Sequence, residues 1–303
     1  MPQSESRAEA IRLLGAAAGR SHRSSVAYTL GFVRSPAAMP DVVPDIPPLA
    51  RLIQGGRGGG TRLRLYLLLT MIATRAPFDI RNPPTPMTLA RTLDLPPGTG
   101  PRRITSNMKW LADNHFIKLT RRPGQTPSIQ LLDPLWSGKP LPPEISKPMG
   151  DPRRGRYVSL PIGFWSNGWL LYLSPVAIAV MLALSELLGG SKVPRYMLRD
   201  RRESYALSHD SWTRGRHELE ASGLLSVKRV PQGDDWDYTR LRNSYWLETG
   251  PLDGAFPTEG GELRRRGADS NGILFERCDR EFEQSQRGAV SQRGQDREAN
   301  TAR

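Results

Sequence analysis

The side chains that most often carry catalysis or bind metals are few and scattered in this sequence. There is one cysteine, Cys278, and there are four histidines, no two of which form a His-hydrophobic-His triplet: His22, His115, His209 and His217. His209 and His217 lie two turns apart on one predicted helix, with no carboxylate at metal-ligand spacing between them. The acidic cluster at 234–237 falls in a predicted turn and has no second cluster to complete a metal site. We therefore predict a protein that is not an enzyme and that has no metal and no cofactor.

Basic residues are the more informative feature, because they suit a polyanionic partner. Lys and Arg number 43 against 30 Asp and Glu, which gives a net charge of +13 and a pI near 10.4. Residues 62–136 carry +7 of this charge, whereas residues 151–249 carry +3 and residues 250–303 carry −1. Nucleic acid is the commonest partner of a strongly basic protein. The sequence therefore predicts a nucleic-acid-binding surface concentrated in residues 62–136.

Composition also disfavours secreted and membrane proteins. One cysteine excludes a disulfide framework and any multi-cysteine metal or redox site, which favours a reducing compartment. No run approaches the roughly 18 apolar residues of a membrane span, and residues 1–12 lack an apolar signal segment. We predict a soluble, cytoplasmic protein without a membrane partner.

The chain divides into five regions by composition. Residues 1–61 are poor in large apolar side chains and end in a Gly-rich run, so we predict a flexible N-terminal region with a short helix possible at 9–18. The Gly run lacks a preceding strand and a Gly-Lys-Ser/Thr ending, which favours a linker over a phosphate-binding loop. Five prolines make residues 137–156 a stiff connector. Residues 250–303 are predicted to be a largely disordered tail, with a possible short helix near 273–282.

The two remaining regions, 62–136 and 157–249, share one order of predicted elements: three helices and then a β-hairpin. In the first, helices begin near Leu63, Thr85 and Pro101, and strands cover 116–119 and 128–132. In the second, helices begin near Ser174 and Ser208 with a weaker one between 193 and 202, and strands cover 224–230 and 244–247.

A constant offset of 108 residues aligns the two regions directly. It pairs Ile104, Leu111, Phe116, Ile117, Arg121 and Pro123 with Trp212, Leu219, Leu224, Leu225, Arg229 and Pro231. Because two matching copies are harder to obtain by chance than one, we interpret them as an internal duplication.

Three helices with a hairpin after the third resemble the winged-helix domain. Residues 205–225, YALSHDSWTRGRHELEASGLL, look like its recognition segment, with a Leu-Ser turn, a helix and Gly-Leu-Leu leading into the wing. Tandem copies in a basic protein also resemble plasmid-type replication initiators and winged-helix transcription regulators, over residues 62–249 apart from the connector. The resemblance implies a mainly α fold with small β-hairpin wings, built as tandem winged-helix domains between flexible N- and C-terminal tails.

In this type of helix-turn-helix domain the third helix enters the major groove and the wing touches phosphate or the minor groove. The resemblance therefore implies DNA-binding residues on the outward side of the first copy's third helix, with Arg102 and Arg103 leading for base edges: Arg102, Arg103, Thr105, Ser106 and Lys109. The second copy's set lies beside the acidic Asp210, with Arg214 leading: Ser211, Thr213, Arg214 and His217. Wing residues would mainly contact phosphate: Lys118, Arg121, Arg122, Lys228, Arg229, Arg240 and Arg242. Three tryptophans are predicted to pack in the core rather than stack on bases: Trp110, Trp212 and Trp246.

The predicted function is sequence-specific binding of double-stranded DNA. Replication initiation of a plasmid-like element, with host replication proteins as partners, is favoured by the tandem arrangement. Transcription regulation, with transcription proteins as partners, is the first alternative. A protein-protein scaffold without specific DNA binding is the second, and the weaker charge of the second copy fits that role.

Overall fold

A computed structural model describes residues 3–35, 46–54, 58–135, 138–141, 157–191, 193–232 and 240–257. About half of the chain is helical, and the described strands form three small antiparallel sheets. The expectation of a mainly α fold with small β-hairpins is therefore confirmed at this coarse level.

The N-terminal segment folds as α1 (Gln3–Ser21), β1 (Ser25–Thr29), α2 (Leu30–Val33) and α3 (Pro48–Ile53). Ala10, Leu14 and Ala18 of α1 recur every four residues and are buried together with Phe32 and Leu52. A stripe of small apolar side chains lets α1 pack closely, which a count of large apolar residues does not detect. The predicted flexibility of residues 1–61 is thus wrong for the described parts of that region.

The Gly-rich run is corrected for the same reason. Gly58 precedes α4 (Gly59–Ile72) as its N-cap, and Gly59 and Gly60 form the first turn. A Cβ on Gly59 would lie 2.5 Å from the carbonyl oxygen of Ile53, so only glycine allows the end of α3 to approach α4 this closely. These glycines are a packing device rather than a linker, while residues 55–57 lie outside the described chain.

The first block continues from α4 with β2 (Asp79–Ile80), α5 (Pro86–Thr92), α6 (Gly100–Asp113), β3 (Ile117–Arg122) and β4 (Gln125–Leu131). The three strands form a sheet in the order β2-β4-β3. Thr85 caps α5, since its hydroxyl accepts from the Thr88 amide and Pro86 occupies the first turn, as the sequence predicts.

The second block begins with β5 (Tyr157–Pro161), α7 (Gly163–Ser166) and α8 (Trp169–Tyr172), which precede the repeated elements. The repeat consists of α9 (Pro175–Leu188), β6 (Arg195–Tyr196), α10 (Arg199–Glu203), α11 (His209–Ala221), β7 (Leu225–Gln232) and β8 (Arg240–Leu247). Its sheet has the order β6-β8-β7. Strand β8 begins four residues before the predicted one because its pairing with β7 extends to Gln232↔Arg240.

The two blocks have the same topology, with a two-residue strand that the sequence prediction missed between the first and second helices. The offset of 108 residues holds at the end of the third helix: the Phe116 amide donates to Leu111 O at 2.9 Å, and the Leu224 amide to Leu219 O at 3.0 Å. All four residues are buried. The pairs Leu111–Leu219 and Phe116–Leu224 therefore occupy matching places in the two units, whereas Pro123 lies in the turn after β3 and Pro231 lies within β7.

One continuous core joins the two blocks instead of two separate ones. Helices α4 and α9 are buried on nearly every side and contact each other, which fits the apolar runs at 65–69 and 176–184. Strand β1 pairs with β5, so the N-terminal segment is hydrogen-bonded to the second block.

The start of the predicted C-terminal tail also belongs to the fold. A 3-10 helix at Gly250–Asp253 buries Leu252, and Phe256 stacks on Tyr172 with ring centroids 4.3 Å apart. The prediction of disorder is therefore wrong for residues 250–257, while the possible helix near 273–282 and Cys278 lie outside the described residues.

Candidate nucleic-acid interface

Helix α6 separates its apolar and polar side chains cleanly. Ile104, Asn107 and Leu111 are buried on its inner side, and Pro101 lies in its first turn. The five predicted contact residues are all exposed: Arg102, Arg103, Thr105, Ser106 and Lys109. The structure thus places all five predicted contact residues of α6 together on its solvent-exposed side.

These side chains differ in how firmly they are held. The Arg103 guanidinium donates to the Thr61 hydroxyl at 2.9 Å, and Thr105 donates to Pro101 O at 3.0 Å. Within the described part of the chain, neither Arg102 nor Lys109 forms an ion pair. Arg102 and Lys109 are therefore the more available cations, and Arg103 is tied to the start of α4.

The hairpin after α6 adds further positive charge. Lys118 and Arg121 are exposed on β3, and Lys118 lies opposite Gln130 of β4. The pairing shifts between Thr120 and Arg122, which marks an irregularity near the tip. The backbone of Arg122 belongs to β3, but its side chain lies outside the described part of the chain.

Helix α11 is fixed closely against α9. Trp212, Gly215 and Leu219 are its buried residues. A Cβ on Gly215 would lie 2.7 Å from Val180 Cγ2 and 3.0 Å from Val176 O. The Glu218 carboxylate accepts from the Ser174 amide at 2.6 Å and from its hydroxyl, so it caps α9 and does not face a ligand.

The predicted contact residues of α11 are less uniformly exposed than those of α6. Arg214, His217 and Asp210 are exposed, whereas Ser211 and Thr213 are half-buried. The Ser211 amide donates to the N-cap Ser208 at 3.1 Å, so Ser211 is part of the cap. The structure does not bring this set together on one solvent face as it does for α6.

The predicted contact residues of the second hairpin differ in their exposure. Arg229 is exposed, and Lys228 and Arg242 are half-buried on β7 and β8. Arg240 pairs through its backbone with Gln232, but its side chain lies outside the described residues.

The two third helices differ in charge. Helix α6 contains three basic residues and one acidic residue, whereas α11 contains two arginines and three acidic residues. Arg216 of α11 lies 3.8 Å from Glu220, which neutralises part of its charge locally. The exposed positive surface is therefore stronger on the first unit.

The core prediction is confirmed for Trp212 and in part for Trp110, which packs against the core, but Trp246 is not part of the core. Trp212 is 3% exposed and is stacked on Tyr205. Trp110 is half-buried between Phe116 and the Arg62 guanidinium, which lies 4.3 Å from the ring centroid. Trp246 is half-buried as well. The flanking contacts of Trp110 and Trp212 leave little ring surface for a base to stack on.

A buried carboxylate positions α10 next to α11. The Glu186 side chain of α9 is 2% exposed and accepts two bonds of 2.7 Å from Arg201 and one of 2.6 Å from Tyr205. Arg34 lies 3.3 Å away and contributes a second positive charge. Burial, with the Glu186 charge, raises the pKa of Tyr205 above its ordinary value, so its phenol stays protonated and donates.

Sequence reasoning missed two arginines of α10, Arg199 and Arg202. They line one groove with Arg242. The sequence gives only a weak helical pattern at 193–202, so periodicity assigns no outward face to this segment. The sequence feature that could have revealed this surface is the cluster Arg199, Arg201 and Arg202, of which Arg201 binds the buried Glu186.

Within the described ranges, no group of three His, Cys, Asp or Glu side chains is close enough to hold a metal ion. None of the helices in those ranges has the length and apolar character needed to cross a membrane.

Comparison with protein-family models gave no match, and neither the curated proteins nor the solved structures contain a chain that matches this one. Function is therefore inferred from the side chains and their placement.

Proposed function

We propose that this protein binds double-stranded DNA in a sequence-specific manner through two winged-helix units, and that it initiates replication of a plasmid-like element. The observation that carries the proposal is the exposed basic surface of the first unit. Arg102 and Lys109 of α6 and Lys118 and Arg121 of β3 are exposed and lie outside the ion pairs of the described chain.

The topology supports the winged-helix assignment. Each unit has a helix, a short strand, two further helices and a hairpin, and the short strand pairs with the last strand of the hairpin. An α-helix fits the major groove, which is about 12 Å wide. In this assignment α6 and α11 are the recognition helices and the two hairpins are the wings.

The side chains of the first unit take different roles under this proposal. Arg102, in the first turn of α6, reads a base edge, since a guanidinium binds guanine O6 and N7 in a bidentate manner. Lys109, Lys118 and Arg121 bind phosphates and supply affinity without sequence preference. Arg103 positions the start of α6 through its bond to Thr61 and does not read a base by itself.

Selection from random duplexes tests the proposal. The purified chain is titrated against pooled duplexes at 50 and 200 mM salt, and retained sequences are determined. We expect an enriched site and an affinity that falls by at least 100-fold between the two salts, because four or more phosphate contacts give a slope of about −3.6 or steeper. Enriched repeats at a replication origin support the initiator, and a site at a promoter supports a transcription regulator instead.

The charge of α11 favours one other candidate function. With three acidic residues against two arginines, α11 suits a protein partner better than a DNA groove. A protein-protein scaffold without specific DNA binding is therefore the second candidate. Absence of duplex binding at 50 mM salt would contradict the DNA-binding proposal and leave the scaffold.

A further inference from the structure

Three arginines of the second unit line a single open groove beside α11. The groove has a volume of about 490 Å³ and lies between the segment that starts α10 and strand β8. Its lining is Met197, Leu198, Arg199, Asp200, Arg202, Arg242 and Tyr245. Four of these seven side chains are charged, and their sum is +2.

The arginines of the groove differ in whether they form ion pairs. Arg199 forms an ion pair of 2.8 Å with Glu203, and both side chains are largely exposed. Arg202 and Arg242 are half-buried, and neither forms an ion pair with another described residue. Asp200 is exposed at the same groove. Arg202 and Arg242 are therefore the groove cations with free charge.

Half-burial strengthens the attraction of these two guanidiniums to a bound anion. A charge that is partly removed from water is screened less by salt, and arginine presents several N–H donors in a planar fork that matches phosphate oxygens. The buried Tyr245 also lines the groove, and its ring contacts Trp212 of α11. The groove is thus a fixed surface attached to the recognition helix.

The position of the groove indicates which anion it meets. Arg202 Nη1 lies 3.5 Å from Nδ1 of His209, the first residue of α11. The N-terminal turns of a recognition helix lie nearest to the base edges, so the duplex backbone passes close to this end. Helix α11 itself offers Arg214 as its one exposed arginine.

We propose that this groove binds the phosphodiester backbone of the DNA, and that it supplies more of the second unit's affinity than α11 does. The inference rests on the proposed function, because it assumes that the partner is a duplex. It assigns Arg202 and Arg242 as phosphate-binding residues and leaves α11 a minor electrostatic role.

The test compares the salt dependence of duplex binding in matched variants of the full chain. Arg202→Gln with Arg242→Gln removes two charges and keeps most of each side-chain stem. Loss of two phosphate contacts should reduce the slope of log K against log salt by about 1.8, which corresponds to about 60-fold weaker binding at 0.1 M salt and convergence with the parent near 1 M. The control Arg12→Gln with Arg75→Gln changes the net charge equally at exposed positions of α1 and the loop after α4, and it should keep the parent slope.

Two more variants separate charge from structure and the groove from α11. Arg202→Lys with Arg242→Lys keeps both charges and should keep most of the slope, whereas equal loss in the lysine variant would overturn the phosphate role. Arg214→Gln should change the slope by less than the groove variant does. A larger change for Arg214→Gln would overturn the ranking of groove over α11.

The outcomes for the parent distinguish the two levels of the proposal. If the parent binds duplex and the glutamine variant has the same slope, the groove inference is wrong and the proposed function stands. If the parent binds no duplex at low salt, the proposed function is wrong, and the inference falls with it. Circular dichroism and unfolding midpoints of each variant verify that the compared chains are folded.

Discussion

Glu186→Gln is the substitution whose effect on stability follows most directly from the structure. The carboxylate is 2% exposed and accepts from Arg201 and Tyr205, with Arg34 at 3.3 Å. Glutamine has nearly the same volume and retains one acceptor oxygen. It removes the charge that balances two guanidiniums next to the core.

The expected magnitude comes from the burial of each partner. Breaking a buried ion pair by removing one charge costs about 3–5 kcal/mol. The side chains of Arg201 and Arg34 are 32% and 24% exposed, so water compensates part of their lost partner. We therefore expect the free energy of unfolding to fall by about 2–4 kcal/mol, below the full cost of a completely buried pair.

Urea unfolding at pH 7, followed by circular dichroism, measures this change as the shift in midpoint multiplied by the m-value. Glu203→Gln is the matched control, because it removes the same group from an ion pair whose side chains are 58% and 82% exposed. The control should lower the free energy of unfolding by less than about 0.5 kcal/mol. A change below 1 kcal/mol for Glu186→Gln, or one equal to the control, would refute the reasoning that this cluster stabilises the fold.

Four other substitutions test α6, α11 and the end of the second hairpin. Arg102→Gln should weaken binding to the selected site by about 1–3 kcal/mol and relax the preference at one base pair, whereas Arg103→Gln should lower affinity without changing the base preference; selection with each variant distinguishes them. Equal loss of preference in both would contradict the separate roles. Gly215→Ala should lower the free energy of unfolding by about 1–3 kcal/mol in urea titrations, because the new methyl group overlaps α9; an unchanged midpoint would show that the helices separate freely. Burial raises the pKa of Glu248, so ionisation of its carboxyl group destabilises the fold once the pH exceeds the pKa of this group in the unfolded chain. Glu248→Gln should therefore raise the melting temperature at pH 7 and lose that advantage below about pH 4. A lower melting temperature of the variant at pH 7 would contradict this.

The repeated units could be predicted from the sequence because their signals are local. Thr85 before Pro86 and Ser174 before Pro175 mark helix starts, and both hydroxyls cap in the structure. The N-terminal segment could not be predicted in this way. Helix α1 is stabilised by contacts with residues far along the chain, such as the ion pair of Arg7 with Asp94, and a residue count over a short window does not detect them.

The same distinction applies to the candidate site: features set by local periodicity could be predicted from the sequence, and features set by long-range packing could not. Exposure of Arg102 and Lys109 follows from the periodicity of α6, which fixes the inner side through Ile104 and Leu111. The anchoring of Arg103 by Thr61 depends on how α4 and α6 pack, so periodicity alone gives Arg102 and Arg103 equal standing. The groove of Arg202 and Arg242 joins residues 40 positions apart that only the pairing of β6 with β8 brings together.

The N-terminal segment has a role that the flexible-tail expectation conceals, because it connects the two units. It reaches the second unit where the Ser35 amide donates to Ser204 O at 2.9 Å and the Gln54 side chain donates to Ala206 O at 2.8 Å. It reaches the first unit through Arg23, which donates to the carbonyls at the end of α4. These contacts and the common core fix α6 and α11 relative to each other. Under the proposed function, the spacing between the two DNA contacts is then set by the packing of the core.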